Sequence, residues 1–155
     1  MLEILIDGDA CPVKQEVERV AARHALTVHL VSNGGLRPSS NPLFRHVIVA
    51  AGADAADDWI AEHIGEGDIA VTADIPLASR CLKKGARVLG PTGKPFTEDS
   101  IGMALSMRDL HLRLREATGN QTYNAGFGKQ DRSRFLNALE NEIQALRRIA
   151  ARNPV

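Results

Sequence analysis

Short apolar runs alternate with helical patterns along residues 2–89, and this alternation restricts the fold more than any other feature. The runs are rich in Val, Ile and Leu, as β-strands are, and they occupy residues 2–6, 27–32, 46–51, 68–72 and 86–89. Helical spacing of apolar residues begins after Pro12 and recurs at 54–64 and 75–84. Strands that alternate with helices predict an α/β fold with a mainly parallel, layered sheet.

The remainder of the chain has a different pattern. Thr97 is expected to cap a helix that runs to about Glu116, and the polar, glycine-rich residues 119–130 are expected to form a mobile loop. A C-terminal helix is predicted at 131–151, and its apolar stripe either packs internally or forms the seam of a homodimer. The stripe consists of Leu136, Leu139, Ile143 and Leu146. Residues 1–155 are expected to form a single domain, because no linker divides them.

Composition narrows the classes of function. Only 4% of the 155 residues are aromatic, so the chain offers few platforms on which nucleic-acid bases could stack. It shows no secretory signal, no apolar span and only two cysteines, which favours a cytoplasmic protein without disulfides and without a membrane partner. We expect Cys11 to be a packed side chain, with a reactive thiol beside a helix N-terminus as the alternative.

Charge is divided unevenly along a chain whose formal net charge is zero. Residues 1–75 contain 12 acids and 5 bases, a net charge of −7, whereas residues 76–155 contain 7 acids and 14 bases, a net charge of +7. Basic side chains folded around an acidic pocket would attract a polyanion and still keep cations at the reaction centre.

Carboxylates follow three of the predicted strands. If the strands are parallel, these acids meet at one edge of the sheet, where they would repel one another unless a cation or shared protons offset their charge. Clusters of oxygen ligands bind hard cations such as Mg²⁺ or Mn²⁺, which activate water and stabilise charge on a phosphodiester. The acids are Asp7, Asp9, Asp54, Asp57, Asp58 and Asp74.

The acids of the second group cannot all face one ion. In a helix, Asp54 shares a face with both Asp57 and Asp58, which diverge from each other by about 100°. We expect Asp58 to be the partner of Asp54, because Trp59 and Ile60 should turn toward the sheet, and we place Asp57 second.

The other acids also have alternative roles. Asp7 and Asp9 alternate in phase along a strand, so both can face the pocket, and Asp7 is the safer ligand because it adjoins the apolar run. Asp is also a favoured N-cap residue, so Asp54 and Asp74 could instead cap the helices that follow them. The metal ligands expected from the sequence are Asp7, Asp9, Asp54, Asp58 and Asp74, and the catalytic residues are Asp7, Asp58 and Asp74.

Four segments in order, DGDACP, GADAADDWI, VTADIPLA and KQDRSRF, make the chain resemble the YaiI/YqxD family of bacterial proteins, which is placed with the PIN-like nuclease superfamily. The resemblance implies a Rossmann-like, PIN-type three-layer fold with additional C-terminal helices. It also implies hydrolysis of RNA or DNA with Mg²⁺ or Mn²⁺, and we expect RNA before DNA. Asp7 matches the acid of the first strand, Asp74 the acid of the T-x-D strand end, and residues 54–58 the position of a helical acid.

Substrate contacts are sought among polar side chains in loops. Asn33 and Arg37 follow a predicted strand, and Lys129, Arg132 and Arg134 follow the glycine-rich stretch, so these side chains are candidates for phosphate contacts. The five histidines have no ligand spacing to one another or to the cysteines, and we expect no zinc site.

Two other functions use the same residues. The segment ILIDGDAC resembles the DxDxT loop of the haloacid dehalogenase phosphatases, with Asp7 as nucleophile and Asp9 as acid and base, although Cys11 occupies the position of the usual Thr. Alternatively, the chain is a non-catalytic module that binds a metal or nucleic acid. The sequence favours a metal-dependent nuclease over both.

Overall fold

The computed structural model describes residues 2–8, 11–34, 41–50, 54–102 and 128–152. Its centre is a six-stranded sheet in the order β3-β2-β1-β4-β5-β6. The strands are β1 Glu3–Asp7, β2 Thr27–Ser32, β3 Phe44–Ile48, β4 Ile69–Val71, β5 Arg87–Leu89 and β6 Pro95–Phe96. Strands β1 to β5 are parallel to their neighbours, and β6 is antiparallel to β5. This is the mainly parallel sheet that the sequence predicts.

Helices cover both faces of the sheet. They are α1 Lys14–His24, α2 Ala55–His63, α3 Ile75–Lys83 and α4 Lys129–Arg152. One core cluster joins α1 and α4 to the sheet, and a second joins α2 and α3 to its opposite face. Strand β1 serves both clusters, with Ile4 and Ile6 in the first and Leu5 in the second. Because both of its faces are buried, the middle of β1 is a continuous apolar run, Ile4–Leu5–Ile6, rather than an alternating pattern. The result is a Rossmann-like three-layer fold.

Helix α4 packs inward along its apolar stripe. Leu139 and Ile143 are completely buried with Phe135, and Leu136 and Leu146 pack against the same cluster. The stripe therefore contributes to the core of this chain. The helix begins at Lys129, two residues before the predicted start.

The beginning of α4 lies close to the turn that precedes β6. A Cβ atom at Gly93 would lie 2.7 Å from the carbonyl oxygen of Arg134, and Gly93 has φ +91°. Any larger residue would have to push the two segments apart. Glycine at this position lets α4 lie against the sheet edge at its first turns.

Two strands differ from expectation. β6 was not predicted, because the prolines around it are typical of a loop, yet Pro95 is tolerated where the strand is antiparallel and pairs only with β5. β3 begins at Phe44 rather than His46, since Phe44 and Arg45 pair with Val28 and His29.

Parts of other predictions lie outside the described residues. Residues 98–102 are helical, as expected after Thr97, and the rest of that predicted helix lies beyond them. Most of the predicted mobile loop, residues 119–127, is also outside the described part. Within the described ranges, no helix is long and apolar enough to cross a membrane.

Candidate functional site

Asp7 is the last residue of β1, the strand at the centre of the sheet. Its neighbours β2 and β4 extend the sheet in opposite directions, so Asp7 lies where the chain order reverses, the usual ligand position in open α/β folds. The side chain is 8% exposed. Gly8 follows, and its N–H donates to the Val31 carbonyl at 2.7 Å. Since a Cβ at Gly8 would lie 2.8 Å from Leu30 Cδ1, the chain turns tightly over β2 and holds Asp7 at the sheet edge.

Asp74 reaches the same edge from β4. The buried Thr72 accepts a hydrogen bond from the Asp74 N–H at its Oγ1, over 3.0 Å. Asp74 Oδ1 in turn accepts from the Leu77 N–H at 2.9 Å, so Asp74 is the N-cap of α3, with Pro76 in the first turn. The capping alternative is thus confirmed for Asp74. One of its two carboxylate oxygens takes part in this cap.

Asp57 joins these acids from the first turn of α2. Burial raises the pKa of Asp57, and the carboxylates of Asp74, Asp7 and Asp54 raise it further, to about 6. The Arg80 guanidinium opposes this rise. Four carboxylates from β1, the β4 end and α2 therefore share one electrostatic environment. We call Asp7, Asp54, Asp57 and Asp74 the acidic site.

Asp58 has a different neighbour. Arg80 Nη1 on α3 donates to Asp58 Oδ1 at 2.9 Å, and about half of each side chain is exposed. The expected orientation is therefore reversed: Asp57, not Asp58, is the acid of this adjacent pair that interacts with Asp7 and Asp74.

The reversal follows from the way α2 packs. Trp59, which was expected to turn toward the sheet, is only partly buried. The buried residues of α2 are Ala56, Ile60 and Ala61. At 100° per residue, Asp57 lies within the arc that these residues cover, and Asp58 lies outside it.

The two remaining acids of the prediction are placed differently. Asp54 directly precedes α2, is exposed, and makes no side-chain capping bond to the helix, so the capping alternative is wrong for Asp54. It contributes its charge to the acidic site. Asp9 lies outside the described residues.

The acidic site offers only carboxylate oxygens, the donors that Mg²⁺ and Mn²⁺ prefer. Burial is the larger cause of the raised pKa of Asp57, and the negative charges of Asp74, Asp7 and Asp54 add to it. A bound cation would offset this contribution of the neighbouring charges. Across the described part of the chain, no three His, Cys, Asp or Glu side chains are grouped closely enough to hold a metal ion by themselves. Mg²⁺ is usually bound through one or two carboxylates, with water and substrate phosphate as further ligands. The donor chemistry thus fits a cation that the substrate helps to hold.

The described candidates for substrate contacts are of two kinds, exposed side chains and one arginine that bonds to a neighbouring helix. Asn33 is exposed directly after β2, and Lys129 and Arg134 are exposed in the first turns of α4. Arg134 lies 3.9 Å from the Asp131 carboxylate. Arg37 lies outside the described residues.

Arg132 connects two helices. Its Nη1 donates to the Pro12 carbonyl and to Glu16 Oε1, both at 2.9 Å, which joins the start of α4 to the start of α1. Glu16 Oε2 is buried without a hydrogen-bond partner among the described residues. These bonds bring the start of α4 to the carboxyl edge of the sheet, and they engage Arg132 in packing rather than leaving it extended toward a phosphate.

Sequence reasoning missed two polar contacts near the acidic site. Ser32, buried at the end of β2, bonds through Oγ to His46 Nε2 at 2.9 Å and accepts the Gly34 N–H at 3.2 Å. Arg80 was missed as well, because its partner Asp58 is 22 residues away and no local spacing signals the pair.

Cys11 lies near the acidic site without forming part of it. Its side chain is buried, and this burial raises the pKa of its thiol to about 11. This confirms the expectation of a packed cysteine, and the raised pKa argues against an activated thiolate.

A cavity of about 640 Å³ opens at the opposite, amino edge of the sheet. Its lining includes Leu2, Leu26, Gly67 and Gly85, which precede four of the strands, and Leu146 and Ile149 of α4. It contains none of the acidic-site carboxylates. The cavity lining also includes Glu66, Arg87 and Arg147, so it has charges of both signs, whereas the acidic site at the carboxyl ends of the strands consists of carboxylates.

Known proteins resemble the chain over nearly its whole length. The family model described as "Uncharacterized BCR, YaiI/YqxD family" matches residues 5–145. A UPF0178 protein of Rhodospirillum rubrum is 62% identical over 148 residues, covering 95% of this chain and 99% of the relative. A UPF0178 protein of Parvibaculum lavamentivorans is 59% identical over 148 residues, covering 96% and 97%. One from Ruegeria pomeroyi is 55% identical over 152 residues, covering 97% and 99%.

No solved structure matches the chain. The family match includes the last three residues of β1, the acidic site and most of α4, and the relatives agree with this chain along nearly all of their own length. The chain therefore belongs to the YaiI/YqxD family.

Proposed function

We propose that this protein is a nuclease that hydrolyses nucleic-acid phosphodiesters with Mg²⁺ or Mn²⁺ at the acidic site. The observation that supports this best is the effect of Asp74, Asp7 and Asp54 on the pKa of Asp57, at the point where the strand order reverses. Membership of the PIN-like superfamily is part of the proposal. RNA is the first substrate to test, and DNA is the second.

Asp7, Asp57 and Asp74 are the proposed carboxylate ligands, and water and substrate phosphate would complete the coordination, because no three of the described acids could hold the ion by themselves. When bound, the ion lowers the pKa of a water molecule and neutralises charge on the phosphate. Asp7 supplies a carboxylate at the end of β1, and this strand is held in place by its pairing with β2 on one side and β4 on the other. Asp74 retains one oxygen beyond its capping bond, and Asp57 supplies its carboxylate once its proton has left. In the proposed catalytic set, Asp57 replaces Asp58, which was expected from the sequence.

Substrate binding is proposed for exposed polar groups at the same edge. Asn33 follows β2, the strand next to Asp7, and Lys129 and Arg134 begin α4, which Arg132 fastens to α1. Arginine and lysine side chains bind phosphates irrespective of base sequence. These contacts would therefore position a nucleic-acid strand without making cleavage sequence-specific.

Cleavage of end-labelled single-stranded RNA and DNA in Mn²⁺, Mg²⁺ and EDTA tests the proposal. We expect cleavage by the parent in Mn²⁺, none in EDTA, and none by Asp7→Asn or Asp74→Asn. Glu62→Gln is the matched control, because Glu62 is exposed at the far end of α2, and it should cleave like the parent. Equal cleavage by the parent and both Asp variants would contradict the proposal.

A non-catalytic module is the second candidate, favoured by two observations. Among the described residues no three-ligand metal group is preformed, and Asp74 already has a structural bond. In that case Mn²⁺ would raise the melting temperature of the parent without strand scission. Melting and cleavage measured on the same preparation separate the two functions.

A further inference from the structure

Arg80 is a cation immediately beside the acidic site. It lies on α3, it bonds to Asp58 on α2, and its charge lowers the pKa of Asp57 against the effect of burial and the other carboxylates. Asp74, at the start of the same helix α3, belongs to the acidic site. Both helices that carry this ion pair therefore also carry a member of the site.

The guanidinium of Arg80 has capacity beyond this pair. An arginine side chain has five N–H donors in a planar fork that matches two phosphate oxygens. Within the described ranges, Arg80 makes one side-chain hydrogen bond, from Nη1 to Asp58 Oδ1, and 46% of the side chain is exposed. One edge of the fork is thus fixed by Asp58, while the other N–H groups point to no described protein acceptor.

A polyanion that approaches four carboxylates needs compensating cations. Arg80 provides one positive charge from the face of the sheet that α2 and α3 cover. The exposed Lys129 and Arg134 provide two more from α4, which packs on the opposite face. Asp7, at the end of β1, belongs to the sheet that lies between these two helix layers. A strand crossing the carboxyl edge of the sheet would therefore meet a cation on each side of the reaction centre.

We propose that Arg80 binds a substrate phosphate that flanks the scissile one, and that Asp58 is the residue that positions Arg80. This inference rests on the proposed nuclease function and extends it to the path of the substrate strand. It also gives Asp58 a role other than metal binding. Asp58 acts on the substrate only through the guanidinium it holds.

Binding of a labelled single-stranded RNA tests this assignment by fluorescence anisotropy over a range of salt concentrations, with EDTA present to prevent cleavage. Arg80→Gln should weaken binding about 10-fold and reduce the slope of log K against log salt by about 0.7, the value of one phosphate contact on a single strand. Lys83→Gln is the control, because Lys83 is exposed about one turn further along α3 and the substitution removes the same positive charge as Arg80→Gln does. It should change both quantities much less.

Asp58→Asn tests the positioning role, because two explanations predict opposite signs. If Asp58 were only a negative charge near a polyanion, its removal would tighten RNA binding. If Asp58 positions Arg80, removal weakens binding, and Asp58→Glu restores part of it. Glu62→Gln, four residues along the same helix, reports the effect of charge alone.

The outcomes separate this inference from the nuclease proposal. Suppose that the parent protein binds RNA and Mn²⁺ and that Arg80→Gln and Lys83→Gln both bind RNA as tightly as the parent. That result would overturn the role of Arg80 and leave the nuclease proposal standing. Tighter RNA binding by Asp58→Asn would overturn the positioning role. Parent protein that binds neither RNA nor DNA, with or without Mn²⁺, would overturn the proposed function and this inference together.

Discussion

Arg80 Nη1 lies 2.9 Å from Asp58 Oδ1, and this ion pair separates two adjacent acids of α2 into different environments. Asp58 is paired and exposed, whereas Asp57 interacts with the carboxylates of Asp7, Asp54 and Asp74. Asp57 is thus the acid of this pair whose negative charge is opposed by partial burial and by neighbouring carboxylates. The first prediction concerns this acid.

Asp57→Asn should stabilise the metal-free protein at pH 8. The pKa of Asp57 is raised from 3.8 to about 6, so the native state binds this proton more tightly than the unfolded state does. The resulting stability is fully present below pH 3.8 and is lost as pH rises through 6. Because the side chain is partly exposed, we expect a gain on the order of 1 kcal/mol, or about 3 °C in melting temperature.

Thermal melts of both proteins in EDTA, at pH 4.5 and pH 8, check this prediction. The advantage of Asp57→Asn should be larger at pH 8 than at pH 4.5. Asp58→Asn serves as the control, because it removes a neighbouring charge and loses the Arg80 pair instead of relieving repulsion. A variant that is less stable than the parent at pH 8 would show that Asp57 is not strained by its neighbours.

Asp74 should show two separable roles. Asp74→Ala loses the bond from the Leu77 N–H and should cost about 1 kcal/mol of unfolding free energy, whereas Asp74→Asn keeps an N-cap acceptor and should cost less than half of that. Both changes remove the charge, so both should lose Mn²⁺ binding. Asp54→Ala is the control for stability, because Asp54 makes no capping bond.

Chemical denaturation gives the stabilities of these Asp74 and Asp54 variants, and calorimetry gives their Mn²⁺ affinities. Retained Mn²⁺ binding in Asp74→Asn would assign Asp74 to the helix cap alone.

Both cysteines should be unreactive in the folded protein. Burial raises the pKa of Cys11 and of Cys81 to about 11 from an ordinary value of 9.0. Two pKa units leave roughly 100-fold less thiolate at pH 8, and burial also limits access to the sulfur. Titration with an aromatic disulfide reagent should therefore detect slow reaction in native protein and two fast thiols in denaturant. A single fast thiol in the native protein would reveal an activated cysteine.

The alternation of strands and helices was sufficient to predict the parallel sheet, because each run of apolar residues in this chain has the length of one element. β2 was predicted with its observed bounds, Thr27–Ser32, whereas β6 was missed. β6 is only two residues long and begins with proline, so it exists through pairing with β5 and not through any local preference.

The site was predicted in outline and not in detail. Asp7 ends one strand and Asp74 follows another, and the carboxyl ends of parallel strands lie at the same edge of a sheet. The sequence was therefore sufficient to predict that these two acids lie at one edge. The choice between Asp57 and Asp58 depended on which side of α2 is buried. The wrong side was predicted because Trp59 was expected to face the sheet. Arg80 and Arg132 could not be assigned from sequence, because their partners are distant in the chain and tertiary packing alone joins them.

Calorimetric titration of Mn²⁺ into the parent, Asp57→Asn and Asp58→Asn proteins at pH 7.5 measures whether the acidic site binds a cation and whether Asp57 is the ligand of the adjacent pair. We predict binding to the parent, nearly unchanged affinity for Asp58→Asn, and at least about 10-fold weaker binding to Asp57→Asn, since a ligating carboxylate is lost. Weaker binding to Asp58→Asn with parent-like binding to Asp57→Asn would contradict the account. Absence of Mn²⁺ binding to folded parent, even with a single-stranded RNA present, would contradict it entirely.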